Sequence, residues 1–215
     1  MDAVLAIHVA GGAVAIIAGT LALSLRKGSP NHKKAGYTFV IAMLTMALPG
    51  GVLAALNDKP FDVLSSLVTG YWVVTGWLAF KTLSRATWVA LMGSGFICLI
   101  GYLAVELYAL STGIRATDAP SGAGYVFALV IVLSLRGDYH TSKQPDLRKR
   151  AVVRHLWRMT AGLFVATMSF FGARPHLFPE VVQSSGLLLL LAFAPLLCMI
   201  YFRWRQRDRA PGAPI

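Results

Sequence analysis

Long apolar stretches almost free of charge dominate this chain, and they leave it few folds. Seven runs stand out, at residues 3–25, 37–56, 61–80, 86–110, 122–135, 152–171 and 181–202. A helix needs about 20 mostly apolar residues to cross the hydrocarbon core of a bilayer. In lipid every backbone N–H and C=O must be satisfied internally, which restricts a spanning segment to a helix or a closed barrel. Unbroken apolar runs of this length read as helices. The expected fold is therefore all-α: a polytopic transmembrane bundle of about seven helices, one domain over residues 1–209, with a disordered tail at 210–215. The fifth run is short unless it extends back through Pro120.

Composition agrees with this reading. Only 13% of residues are charged and 56% are hydrophobic, where a soluble domain carries about 25% charged residues. The net charge of +11 would suggest a nucleic-acid partner in a soluble protein. Here the cations lie between the apolar runs, so the expected partner is the lipid bilayer and not nucleic acid. Cys98 and Cys198 both sit inside apolar runs and read as packed thiols, not as a disulfide or metal pair.

Charge also predicts an orientation. With helices alternating in direction, seventeen Lys and Arg residues fall on one side and three (Lys59, Arg115 and Arg174) on the other. Cytoplasmic loops collect cations, so the N-terminus is expected outside and the C-terminus in the cytoplasm. The start, Met1-Asp2-Ala3-Val4, lacks the basic region of a cleaved leader, which favours a retained first helix. Trp77, Trp88, Trp157 and Trp204 all fall near the basic side, as in an aromatic belt. The expected location is the cytoplasmic membrane of a bacterium.

Two helices carry small-residue faces: His8, Gly12, Ala15 and Gly19 in the first, and His155, Gly162, Ala166 and Ser169 in the sixth. Such faces let helices approach closely in lipid, and they also leave room for a flat cofactor; plain packing is the commoner use. Pro49-Gly50-Gly51 interrupts the second run. Proline removes a backbone donor and crowds the carbonyl four residues earlier, so a kink or break is expected there, and broken helices mark binding sites in some transporters. Pro195 predicts a second kink.

Glu106 is the most conspicuous polar residue, because an ionised carboxylate facing lipid costs several kcal/mol. His8 lies at a similar depth below the same outer surface, so the two form a candidate intramembrane site, with Arg174 and His176 above them. The alternative is a buried structural pair. A second group lies on the basic side: His32-Lys33-Lys34, Asp138-Tyr139-His140, and Arg154-His155-Leu156-Trp157-Arg158. Most of these charges read as a headgroup-binding face. His155 is set apart, since it heads a small-residue face. The five histidines divide into two outer (His8, His176) and three inner (His32, His140, His155). That division is compatible with haem b ligation near each surface, with Met43 and Met159 as further ligand candidates. Only His8 and His155 lie clearly within helices. No Walker loop, zinc-protease helix, nucleophile elbow or Cys-x-x-Cys is present.

His8-Val9-Ala10-Gly11-Gly12 with Gly19, then Lys27-Gly28, His32-Lys33 and Gly36-Tyr37, resembles the start of a bacterial family of predicted membrane proteins of unknown function. Arg154-His155-Leu156-Trp157-Arg158-Met159, Phe164-Val165-Ala166-Thr167, Ser169-Phe170-Phe171 and Phe178-Pro179 resemble a second block of that family. The resemblance spans most of the chain. It implies a multi-helix membrane fold and motif positions for His8, His32 and His155, and it carries no activity. Three functions remain open: a cofactor-binding or redox protein using the histidines against the small faces; a small proton-coupled transporter using Glu106 and the Pro49 break; and a non-catalytic accessory subunit with a membrane-protein partner.

Overall fold

The computed structural model describes residues 2–114, 119–143 and 148–207. The expected tail at 210–215, and Arg115 and Arg209 of the charge count, lie outside the described residues. Among the described residues all regular structure is helical: α1 (Asp2–Ser24), α2 (Pro30–Leu56), α3 (Pro60–Trp77), α4 (Arg85–Thr112), α5 (Ala123–Lys143), α6 (Arg148–Thr167), α7 (Glu180–Ser184) and α8 (Leu187–Arg207). A 3-10 turn (Leu78–Phe80) ends α3, and a π turn (Met168–Gly172) ends α6.

Local signals set the helix ends. Ser29 accepts a hydrogen bond from the His32 amide and Pro30 occupies the first turn of α2, the preferred residues for those positions. This cap starts α2 seven residues before the apolar run does, so Lys33 and Lys34 are helical. Ser84 caps α4 in the same way, accepting from the Thr87 amide at 3.1 Å. Gly113, at φ 69°, ends α4 in the left-handed conformation that only glycine adopts without strain.

Five helical segments are long and apolar enough to cross a membrane: α1, α2, α3 with its 3-10 turn, α4, and α8. Their outward surfaces carry large exposed aliphatic side chains, such as Ile17, Leu48, Ile97 and Leu189, as lipid contact requires. The chain is a multi-pass α-helical membrane protein.

The remaining long helices, α5 and α6, have 21 and 20 residues but carry charge. They differ in position. α5 turns Val126, Leu129 and Leu133 outward. α6 is the inner helix: it packs against α1, α3 and α8, and Arg154, Leu156, Arg158, Thr160 and Leu163 are all buried. Two apolar cores flank it. One joins Val68, Trp72, Tyr102, Ile131 and their neighbours; the other joins Ala15, Phe39, Met43, Val73 and Leu163.

Three expectations need correction. The fifth run does not extend back through Pro120; α5 runs forward past Leu135 to Lys143, because Asp138, which looks like a terminator, is neutralised inside the bundle. The last run is not one helix: Gly186, at φ 73°, separates α7 from α8, and Ser185 Oγ caps the new start by accepting from the Leu187 amide. Finally, of the kink or break expected at Pro49, the break does not occur, and α2 continues through it. His8 donates to the Met46 carbonyl in the preceding turn. Pro195 likewise lies inside a continuous helix.

Candidate functional site

Asp138, which the sequence places past the fifth run, and Arg154 and Arg158, at the start of the sixth, form the centre of the site. α5 presents Asp138, and α6 presents Arg154 and Arg158, one helical turn apart. Asp138 Oδ1 lies 2.9 Å from Arg158 Nη2 and 3.0 Å from Arg154 Nε, and the Asp138 and Arg158 side chains are both 0% exposed. The Tyr71 hydroxyl donates to Asp138 Oδ2 at 2.6 Å. Arg158 also donates to Thr75 Oγ1 and to the Ser134 carbonyl, and Trp72 Nε1 donates to Ser134 Oγ. This network ties α3, α5 and α6 together. A buried charge is tolerated only when it is paired and hydrogen-bonded; Asp138 meets both conditions, and Arg158 meets them through Nη1 and Nη2, while its Nε has no acceptor.

Arg154 is less completely satisfied. Its side chain is 6% exposed. Nε lies close to Asp138 but off the hydrogen-bond direction, and Nη2 has no acceptor. Its guanidinium lies over the Trp88 ring at 4.7 Å. Arg158 lies over Trp157 at 4.5 Å and Lys81 over Trp77 at 5.1 Å. Three of the four tryptophans on this side therefore carry cations on their ring faces, while Trp204 is exposed.

His32 and His155 come together at the same end, with ring centroids 6.4 Å apart. His32 Nδ1 bonds the Ala22 carbonyl at 3.0 Å, and His155 Nδ1 bonds the Gly76 carbonyl at 2.9 Å. A carbonyl only accepts, so each Nδ1 carries the proton, and Nε2 of a neutral ring keeps its lone pair. His8 follows the same rule, bonding Met46 O at 2.8 Å on the other side of the bundle. His8, His32 and His155 thus share one local function: each supplies a donor to a carbonyl of another helix. Lys27 reinforces the end of α1, donating to the Ala22 and Leu23 carbonyls and lying over the Phe202 ring at 4.3 Å. Burial holds its ammonium below the ordinary lysine range.

The outer candidates are dispersed. Glu106 accepts from the Gly124 amide at 2.7 Å, so it caps the start of α5, while His8 bonds α2. The structure gives these two residues separate partners and does not bring them together. Arg174 and His176 are exposed around a 3-10 turn (Pro175–Leu177). His140 is exposed on α5 against Tyr139.

The small faces are closed by packing. A Cβ at Gly11 would lie 2.9 Å from the Met46 backbone nitrogen, one at Gly19 2.7 Å from Leu163, and one at Gly162 2.8 Å from Val73. Helix packing takes up the space along both faces. Met43 is fully buried in this packing, and Met159 packs at Gly76.

The linear sequence marks the His32, His155 and Asp138 segments but not that His32 meets His155 or that Asp138 meets Arg154 and Arg158. The available signal was the spacing of Arg154 and Arg158, which puts two cations on one helix face in the run that also supplies His155.

No family model, curated protein or solved structure matches the chain. What the fold defines is a class, the multi-pass α-helical membrane protein with an internal ionic centre.

Proposed function

We propose that this chain is a seven-span protein of a bacterial cytoplasmic membrane, N-terminus outside and C-terminus inside, that holds a redox cofactor at its cytoplasmic end. In this reading α5 and α6 complete the seven spans, and the excess of Lys and Arg sets the orientation. His32 and His155 are the ligands, and haem b is the group their chemistry fits.

The observation that carries this is the histidine pair itself: two imidazoles 6.4 Å apart whose Nδ1 atoms are both committed to backbone carbonyls. Fixing one ring nitrogen orients the other for ligation. A bare zinc ion takes three or four protein ligands, and no group of three His, Cys, Asp or Glu residues is gathered among the described residues. Haem iron needs only axial ligands from the protein. With the glycine faces closed, the cofactor belongs at the bundle periphery, where Phe80 packs on His155 at 5.4 Å and Tyr37 on Trp77 at 5.8 Å. When bound, haem would supply one-electron transfer; the chain's own residues ligate it and shield it from water.

A transporter centred on Glu106 and Pro49 draws less support, because α2 is uninterrupted and Glu106 is engaged with the Gly124 amide.

The test is an absorption spectrum of protein purified after expression with ample haem supply. A Soret band that shifts on reduction, and that is lost in His155→Ala and His32→Ala, is the expected result. Colourless protein, or a band indifferent to both substitutions, would overturn the reading.

A further inference from the structure

The basic end holds a second feature, which does not depend on the cofactor reading. An open cleft of about 520 Å³ lies between α5, α6 and the end of α8. Five arginines line it (Arg136, Arg150, Arg154, Arg158 and Arg203), and the acid among its lining residues is Asp138. That carboxylate is already committed to Arg154, Arg158 and Tyr71. Arg136 and Arg203 stand exposed and make no ion pair or hydrogen bond among the described residues.

Arg154 is the independent sign of a ligand. It lines the cleft, is almost wholly buried, and has Nη2 without an acceptor. Leaving a buried charged donor unmet costs more than an average hydrogen bond returns. A guanidinium with a free donor, surrounded by further guanidiniums, matches an anion that can accept several N–H bonds at once.

We infer that this cleft binds a phosphoryl anion, with Arg154 at its base and Arg136 and Arg203 at its mouth. Carboxylates accept bidentate pairs from one arginine, whereas a phosphoryl group presents three oxygens in different directions and suits arginines arriving from three helices. The same chemistry is offered by an anionic lipid headgroup, which basic pockets between spanning helices take up, and by a free phosphate.

The experiment uses the full chain, delipidated in a nonionic detergent, with thermal unfolding followed by tryptophan fluorescence. The probes are inorganic phosphate, short-chain phosphatidylglycerol and short-chain phosphatidylcholine, at ionic strength matched with chloride. Phosphate or phosphatidylglycerol should raise the midpoint saturably, above the chloride control. A response to phosphate identifies a free phosphoryl ligand; a response confined to phosphatidylglycerol identifies a lipid headgroup. The mouth substitutions Arg136→Gln and Arg203→Gln, which disturb no internal contact, should together weaken the apparent affinity at least tenfold while leaving the unliganded midpoint in place. Arg154→Lys tests the base with its charge kept. Equal shifts with chloride, no shift with either anion, or a response unchanged by the double mouth substitution would each overturn the proposal.

Discussion

Asp138 and Arg158 meet across α5 and α6 at 2.9 Å, with neither side chain open to solvent. They sit 20 residues apart in the chain, each in a stretch that taken alone would suit a cytoplasmic loop. Their union allows both helices to continue through the bundle, and its removal should be felt strongly. Asp138→Ala leaves two arginines uncompensated, for which a loss of about 3–5 kcal/mol is the usual scale. Replacing Arg154 and Arg158 by Met in the same variant should restore much of that loss, measured by denaturant unfolding in bicelles. A single substitution as mild as the triple would show that the pair is solvated.

Glu106 gives a finer contrast. Its carboxylate accepts from the Gly124 amide, and Glu106→Gln keeps an acceptor oxygen in reach. The expected cost is small, whereas Glu106→Ala strands the amide and should cost about 1–3 kcal/mol. Thermal midpoints of the two variants in one detergent decide it. Equal losses would point to the charge as the contribution that matters.

The α1–α2 seam predicts opposite outcomes for the same substitution at two glycines. At Gly11 a methyl group meets the Met46 backbone at 2.9 Å, while at Gly36 nothing lies within 4 Å. Gly11→Ala should destabilise by about 1–3 kcal/mol, the scale of overpacking. Gly36→Ala should be neutral or stabilise by up to about 1 kcal/mol through helix propensity. The comparison is again read from unfolding midpoints.

Orientation is checked by cysteine labelling in cells, in a background lacking Cys98 and Cys198. Glu180→Cys should react with an impermeant maleimide added outside, and Thr82→Cys only after permeabilisation. The reverse pattern would invert the bundle and move the histidine pair and the arginine cleft to the exterior.

The sequence made the existence of long apolar helices legible, along with several of their ends, because lipid solvation and capping act locally. Ser29-Pro30 and Ser84 are examples. The site was only half legible. Glu106 stood out as a charge inside an apolar run, yet its partner is a backbone amide. Arg154 and Arg158 read as cations of the basic side at the start of the sixth run, since nothing in a linear reading shows that Asp138 lies within reach. The pairing of His32 with His155 depends on how the starts of α2 and α6 converge. The break at Gly186 does carry a local signal, the polar Gln183-Ser184-Ser185 before it, which the long apolar stretch from Leu187 onward outweighs.

The inner position of α6 bears on how the chain is made. Five cations lie within residues 148–158, and the two that the bundle buries, Arg154 and Arg158, belong to a residue class that costs about 2.5–3.5 kcal/mol at the centre of an isolated helix during insertion. Such a segment gains nothing by partitioning alone from the translocation channel. In the seven-span reading proposed above, it would enter the bilayer in company, after α3 is in place to receive it and together with α5, whose Asp138 cancels part of the charge. Biogenesis therefore waits on the downstream half of the protein, and a nascent chain truncated shortly after Asp138 should leave that carboxylate stranded and become a substrate for quality-control proteolysis.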